Sequence, residues 1–129
     1  MPLLGFDKRF ASKVRSGAKT CTIRVPRKRP IKVGDRLYLY TGLRTKGARK
    51  LGEGIVTGVT RLVREYALLW LLRLDGFPEP LQLHWTAGLE IAKRDGFDTF
   101  NEFDRFFDRY PTPTELRLIV WRRVKKGGK

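Results

Sequence analysis

The apolar segments of this chain are short, and glycine, proline or charged residues interrupt them throughout its length. Alternating apolar and polar residues that include many β-branched and aromatic side chains are typical of half-buried strands. This pattern marks seven candidate segments, residues 3–6, 20–25, 36–40, 54–62, 68–74, 81–83 and 116–124, and predicts about six strands in total. Such a chain is expected to fold around a sheet, not as a bundle of helices.

Three segments have helical spacing instead. Residues 7–16 place Phe10 and Val14 four apart on one face, and Gly17 is a typical helix stop. Residues 86–94 form a second predicted helix. The third, 100–110, begins with a capping box and carries aromatic residues at helical spacing, which is typical of a face in the core. About three helices and about six strands in irregular order predict an α+β fold, a mixed β-barrel with helices packed around it.

The 129 residues are enough for one hydrophobic core and few for two. We therefore expect a single domain over residues 1–124, followed by a basic disordered tail at 125–129. No run of about 18 apolar residues occurs, so no membrane-spanning helix is expected. The N-terminal residues lack the basic and apolar parts of a secretion signal, and a cytoplasmic location is the simplest expectation.

Metal and disulfide chemistry has little support in the composition. Cys21 is the single cysteine and His84 the single histidine. One cysteine excludes an internal disulfide and a cysteine cluster, and one histidine without a second ligand at metal spacing argues against zinc. We expect neither a metal nor a cofactor.

Positive charge is concentrated in the first part of the chain. The formal net charge is +15, and residues 1–50 hold fifteen Lys and Arg against Asp7 and Asp35 as the only acids. Residues 51–129 hold thirteen Lys and Arg against eleven acids. A field of this kind attracts polyanions, nucleic acid first and an anionic membrane surface second. The alternative is a charge that serves solubility or thermal adaptation.

Residues 16–24, SGAKTCTIR, place several polar side chains in a segment that is otherwise typical of a strand. On a strand that starts near residue 20, Thr22 and Arg24 point to one face and Ile23 to the other. Lys19 lies at the turn before the strand and is free to lean over the same face. A lysine whose pKa is lowered by a nearby arginine is a base for a threonine hydroxyl, which is too weak a nucleophile alone. The alternative is that all three are ordinary surface polar residues.

Gly17, Lys19 and Arg24 also have the spacing GxKxxxxR, which resembles the signature of the ASCH domain, a relative of the PUA RNA-binding fold. Residues 31–37, IKVGDRL, resemble that family's Gly-Asp turn and the strand after it. Residues 92–107 resemble its helix-turn-helix segment, in which Gly-Phe precedes further aromatic residues. The resemblance covers nearly the whole chain and implies an ASCH, PUA-like barrel.

The family's usual motif has Glu where this chain has Thr22. Threonine at this position is similar to the small bacterial N4-acetylcytidine amidohydrolases, whose run is GRKTITIR and which use the Lys, the Thr and a later Glu. That Glu falls on Asp95, which is one methylene shorter. The resemblance thus implies a cleft lined by Lys19, Thr22, Arg24 and Asp95, with Lys19, Thr22 and Asp95 as the catalytic residues if the chain is an enzyme. Alternatively, Asp95 belongs to an ordinary helix-ending turn.

Two functions follow as hypotheses. The first is an RNA-binding or other nucleic-acid-binding module, whose binding residues are expected to be Lys19, Arg24, Arg27, Lys28, Arg29, Lys32, Arg44, Lys46, Arg49 and Lys50. The alternative is a hydrolase in the same cleft that acts on an N4-acetylcytidine-like nucleoside or, like a ribonuclease, on RNA. A protein-binding adaptor is a weaker third. Because a free nucleoside carries no phosphate, the charge favours a polymer. Tyr38, Tyr40 or Trp85 is a candidate for stacking an unpaired base, or else a core residue.

Overall fold

The computed structural model describes residues 2–43, 45–74 and 76–124. Its helices are α1 (Lys8–Ser16), α2 (Trp85–Arg94) and α3 (Phe100–Phe106), and a short 3-10 helix, Phe107–Arg109, continues α3. Its strands are β1 (Leu3–Phe6), β2 (Cys21–Arg24), β3 (Arg36–Thr41), β4 (Arg49–Tyr66), β5 (Leu69–Arg73), β6 (Leu81–Gln82) and β7 (Thr114–Arg123). The predicted tail at 125–129 lies outside the described residues.

The long strand β4 organises the sheet. One edge of β4 pairs first with β3 and then with β5, and the other edge pairs with β7 from Gly54 to Arg64. Strand β1 extends the sheet beside β3 in parallel, β2 lies antiparallel to β7, and β6 lies beside β5. These strands make one seven-stranded sheet, which does not close into a complete barrel within the described residues. The predicted α+β fold with three helices is confirmed, with seven strands where about six were expected.

Local sequence signals set the helix ends. Gly17 ends α1 in the left-handed conformation, with φ of 87°, and its N–H donates to the carbonyl of Val14. The hydroxyl of Thr99 accepts a hydrogen bond of 3.1 Å from the backbone N–H of Glu102, as the capping box predicts. Helix α3 is shorter than expected, because the chain tightens into the 3-10 helix after Phe106. No helix in the described ranges has the length and apolar character needed to cross a membrane.

Side chains of the sheet and of all three helices form the core. Phe103 and Phe107 of the aromatic helix face are buried against Trp70, with ring centroids 5.1 Å from the indole in both cases. Arg64 enters this apolar region from β4 and donates to both carboxylate oxygens of Asp104, at 3.0 and 2.9 Å. Burial opposes ionisation of Asp104, but the hydrogen bonds from Arg64 and Trp70 outweigh it and lower the pKa of Asp104. This pair fixes α3 on β4.

The Gly-Asp turn of residues 34–35 has a structural role. Gly34 has a φ of 95°, and the carboxylate of Asp35 accepts a hydrogen bond of 2.9 Å from the N–H of Lys32. The backbone of the turn also exchanges hydrogen bonds with Val56 in β4. The turn therefore aligns β3 with β4 and leaves Asp35 outside the candidate site.

Candidate functional site

Two chain turns bring Lys19 and Asp95 together. After Gly17 ends α1, the N–H of Lys19 donates to the carbonyl of Lys13 at 2.9 Å, which places Lys19 just before β2. Asp95 ends α2, where its N–H donates to the carbonyl of Ile91 at 2.9 Å. The ammonium of Lys19 thus lies at the C-terminal end of α2, where a helix favours positive charge.

Lys19 and Asp95 form a buried ion pair in which every hydrogen-bond donor of the lysine is used. Lys19 and Asp95 are 2% and 5% exposed. Nζ of Lys19 donates to Oδ1 of Asp95, to the carbonyl of Asp95 at 2.7 Å and to the carbonyl of Cys21 at 2.8 Å. An ammonium has three N–H donors, so every donor of Lys19 has a partner. The shorter aspartate therefore still reaches the lysine.

Burial moves the pKa values of the pair toward each other. It lowers the pKa of Lys19 and raises the pKa of Asp95, and in each case the opposite charge of the partner works against the shift. Lys19 consequently loses its proton more readily than an exposed lysine does. Groups perturbed in this way inside a cavity are candidates for a functional site.

Thr22 is oriented by Arg24 and makes no hydrogen bond with Lys19 in the described structure. Nε of Arg24 donates to Oγ1 of Thr22 at 3.0 Å, and Nη2 of Arg24 donates to the carbonyl of Gly5 at 2.7 Å. The guanidinium also lies 4.9 Å from the centroid of the Phe6 ring. A nucleophile prepared for attack normally has a hydrogen bond to its base, and this contact is missing between Thr22 and Lys19 here.

Lys19, Thr22, Arg24 and Asp95 line one cavity of about 200 Å³. Its other lining residues are Gly5, Phe6, Asp7, Phe10, Ile23, Phe97, Phe106, Arg109 and Tyr110. Aromatic rings and charged groups therefore share this small space. Such a combination suits a flat, polar ligand that stacks on rings and forms hydrogen bonds at its edges.

Sequence reasoning missed the contribution of the C-terminal end of the aromatic helix. Phe106 and Tyr110 are only half-buried, and the guanidinium of Arg109 lies 4.0 Å from the centroid of the Phe106 ring. The spacing of Phe100, Phe103, Phe106 or Phe107, and Tyr110 favours a face in the core over a base-stacking surface. Helical spacing alone does not show where a face leaves the core. The signal that was present is Arg109, three residues after Phe106, since a cation beside a ring at this spacing often stacks on it.

Gly96 allows α2 to end against the cavity. It has a φ of 98°, and a Cβ atom at this position would lie 2.8 Å from Cδ1 of Phe10. Nζ of Lys13 donates to the carbonyl of Gly96 at 3.1 Å, and the rings of Phe97 and Phe10 pack edge to face at 5.4 Å. The Gly-Phe pair therefore holds the end that carries Asp95 against α1.

The basic loops do not line this cavity in the described structure. Exposed side chains among the predicted binding residues are Arg27, Lys28, Arg29, Lys32, Lys46, Arg49 and Lys50, and Arg44 lies outside the described residues. Lys50 forms an ion pair with Glu53. Arg27 lies near enough to act on Arg24, whose pKa is lowered first by burial and to a smaller extent by the charge of Arg27.

The aromatic residues named as stacking candidates lie elsewhere. Tyr38 and Tyr40 are half-buried on β3, outside the lining of this cavity, and Nζ of Lys50 lies 5.4 Å from the centroid of the Tyr38 ring. The side chain of Trp85 lies outside the described part of the structure. No group of three or more His, Cys, Asp or Glu side chains within the described residues is arranged to hold a metal ion.

Solved structures with a similar fold come from Zymomonas mobilis. The crystal structure of ASCH from this organism matches with a TM-score of 0.55 and 12% identity, over 98% of this chain and 73% of that chain. Its serine-to-alanine mutant matches with a TM-score of 0.52 and 13% identity, over 98% of this chain and 74% of that one. The chain has an ASCH-like fold. At such low identity the likeness establishes the fold alone, although it confirms the fold that the motif resemblance implied. No protein-family model matches the sequence, and no curated protein matches it.

Proposed function

We propose that this chain binds single-stranded RNA and holds one base in the cavity around Lys19. The observation that carries the proposal is the lining of that cavity, where Lys19, Thr22, Arg24 and Asp95 lie among aromatic rings. Bases of single-stranded RNA stack on aromatic or guanidinium planes and offer hydrogen-bonding edges to polar side chains. Arg109 and Tyr110 supply such planes beside the polar groups.

The charge distribution supports a polymer as the ligand. The first 50 residues hold fifteen Lys and Arg against two acids, and most cations of the predicted loops are exposed. Exposed Lys and Arg contact phosphates without reading sequence, and each phosphate contact adds to the salt dependence of binding. A ligand without phosphate would not make use of this charge.

Hydrogen bonding supports binding over catalysis. All three N–H donors of Lys19 have acceptors, and the hydroxyl oxygen of Thr22 accepts from Arg24. For Lys19 to act as the base for Thr22, it would have to lose a proton and at least one of these partners. With its donors satisfied inside the protein, Lys19 is suited to holding Asp95 and the start of β2 in place, so that the other lining groups meet a ligand in a fixed arrangement.

The test is fluorescence anisotropy with a labelled eight-nucleotide oligouridylate at several salt concentrations. We expect the affinity to fall steeply with salt, and Arg109→Ala to weaken binding by at least about fivefold, because base stacking contributes about 1–3 kcal/mol. Arg105→Ala is the matched control, since Arg105 is exposed near the end of α3, four residues before Arg109, and does not line the cavity. If neither Arg109→Ala nor Thr22→Val changes the affinity for RNA, the base is bound outside this cavity.

A hydrolase in the same cavity is the second candidate. The observation that favours it is the buried Lys19–Asp95 pair, in which burial lowers the pKa of the lysine and raises that of the acid, close to the Thr22 hydroxyl. With N4-acetylcytidine, hydrolysis would consume one water and release acetate and cytidine. Incubation with this nucleoside and with labelled RNA separates the candidates. Acetate or RNA fragments produced by the wild type and not by Thr22→Val or Lys19→Ala would replace the binding proposal with a catalytic one.

A further inference from the structure

Four arginines lie in one row across the sheet. The strand register pairs Arg24 of β2 with Arg117 of β7, Arg117 with Arg61 of β4, and Arg61 with Arg73 of β5. Residues directly opposite each other on antiparallel strands project from the same face. Neighbouring strands are about 4.8 Å apart, so the row is about 14 Å long.

The row joins the cavity around Lys19 to a second cavity. Arg24 lines the first cavity, and Arg61, Arg73 and Arg117 line the second, which has a volume of about 460 Å³. Arg27 also lines this second cavity, whose apolar lining includes Val59 and Ile119. The lining of this cavity therefore combines four arginines with apolar side chains, a composition suited to a phosphate and a base together.

This row is poorly neutralised. One carboxylate oxygen of Glu115 accepts from both Arg61, at 3.3 Å, and Arg117, at 3.1 Å. In the described part of the chain, no carboxylate lies within ion-pair distance of Arg27 or Arg73. Like charges directly opposite each other on neighbouring strands destabilise a sheet. An arrangement that costs stability in the free protein is relieved when an anion binds to it.

We propose that this arginine row binds successive phosphates of the RNA strand whose base occupies the Lys19 cavity. The inference rests on the proposed function and adds the direction of the strand, from Arg24 across Arg117 and Arg61 to Arg73. Each strand of a DNA duplex advances about 3.4 Å per nucleotide along the helix axis, so a row of about 14 Å spans about four nucleotides of a strand stacked in this way and fewer of an extended strand. The guanidinium fork suits phosphate oxygens better than a lysine does.

The experiment compares two double variants that each remove two positive charges. Arg61→Gln with Arg73→Gln disrupts the row, and Arg105→Gln with Arg122→Gln is the matched control, because both control residues are exposed and neither lines either cavity. Binding of labelled oligouridylates of two, four, six and eight nucleotides is measured by fluorescence anisotropy over a range of salt concentrations. Urea unfolding at low salt verifies that every variant is folded.

For the row variant we expect the negative slope of log K, where K is the association constant, against log salt to become less steep by about 1.4. Two phosphate contacts are lost, and each contact with a single strand contributes about 0.7 to the slope. Taking equal affinities of the row variant and the wild type at 1 M salt, this difference in slope corresponds to an affinity loss of about 25-fold at 0.1 M salt. The gain in affinity from two to six nucleotides should largely disappear, and the urea midpoint should be unchanged or higher. The control should bind like the wild type.

The other outcomes overturn the inference in distinguishable ways. If the row variant binds like the wild type, the row is not the phosphate path, while RNA binding itself stands. If row and control variants weaken equally, the charge acts as a diffuse field and the row has no special role. If the wild type binds no oligouridylate at any salt concentration, the proposed function fails, and the inference fails with it.

Discussion

Asp95→Asn tests whether Lys19 is a buried ammonium that depends on one carboxylate. The substitution keeps the size of the side chain and an oxygen at the position of Oδ1, and it removes the negative charge. Lys19 then retains the carbonyls of Asp95 and Cys21 as neutral acceptors. Removing one partner of a buried ion pair typically costs about 3–5 kcal/mol, because the remaining charge stays out of water.

The structure also sets an upper limit to this cost. Burial already lowers the pKa of Lys19, and the charge of Asp95 and its hydrogen bond are the largest effects that raise it again. Without the charge and the hydrogen bond of Asp95, burying the ammonium of Lys19 costs more free energy. If this cost exceeds the free energy needed to deprotonate the lysine, the variant folds with Lys19 neutral. From an ordinary pKa of about 10.4 to pH 7, the free energy of deprotonation is about 5 kcal/mol. We therefore expect Asp95→Asn to lose about 3–5 kcal/mol of unfolding free energy at pH 7.

The pH dependence has a definite sign. A lysine whose pKa is lower in the folded state binds more protons when unfolded, so stability increases with pH between the two pKa values. If Lys19 folds neutral in Asp95→Asn, the variant recovers about 1.4 kcal/mol per pH unit, which is about 2.7 kcal/mol from pH 7 to pH 9. Urea unfolding of wild type and variant at both pH values measures this difference.

Asp98→Asn is the matched control for this measurement. Asp98 lies three residues along the chain and is exposed, so its substitution should change stability by no more than about 0.5 kcal/mol. A cost below about 1 kcal/mol for Asp95→Asn would refute the buried ion pair. A larger cost that stays constant from pH 7 to pH 9 would show that Lys19 keeps its proton and that the carbonyls stabilise it sufficiently.

Two further predictions concern the surroundings of the pair. Gly96→Ala should lower the free energy of unfolding by about 2–5 kcal/mol, because it combines a left-handed φ of 98° with a Cβ atom 2.8 Å from the Phe10 ring. Gly34→Ala, with a φ of 95° and open space around the new Cβ atom, should lower it by about 1–2 kcal/mol. Equal losses for the two variants in urea unfolding would contradict the predicted contact with Phe10. Burial and the charge of Asp95 raise the pKa of the Cys21 thiol to about 11, so at pH 8 its thiolate fraction should be about 200-fold below that of an ordinary cysteine. Alkylation by iodoacetamide in native buffer at a rate within tenfold of that in denaturant would show that this thiol is accessible and ionised.

Elements governed by neighbouring residues could be predicted from the sequence. The stop of α1 at Gly17 and the cap of α3 at Thr99 depend on residues within one helical turn, and both are present in the structure. Strand β4 was predicted too short, because its glycines interrupt the pattern of a strand. Position 54 in β4 needs a glycine because of a residue that is distant in the sequence. A Cβ atom at this position would lie 2.5 Å from the Trp121 ring. Tertiary packing, not local preference, requires that glycine.

In the candidate site, too, contacts between neighbouring residues could be predicted from the local sequence and contacts between distant residues could not. Strand alternation places Thr22 and Arg24 together, and the structure shows a hydrogen bond of 3.0 Å between them. Asp95 lies 76 residues from Lys19, and only the family resemblance suggested that contact. The arginine row could not be predicted, because it depends on the register of four strands, and a shift of one residue would turn Arg61 or Arg117 to the other face.

Net charge counted along the sequence is consequently a poor guide to where positive charge collects in the folded chain. Residues 51–129 are nearly balanced, with thirteen Lys and Arg against eleven acids, so the sequence directed attention to the loops of the first 50 residues. In the folded chain, Asp104 is buried with Arg64, while the register collects Arg61, Arg73 and Arg117 around one cavity. An acid in a buried pair neutralises its partner and contributes little to the field over a distant part of the surface, whereas the charges of three aligned guanidinium groups add to one another at the cavity that they line. Residues 51–129 therefore supply three of the four arginines of the row and five residues of the Lys19 cavity lining, whereas residues 1–50 supply Arg24 and the rest of that lining.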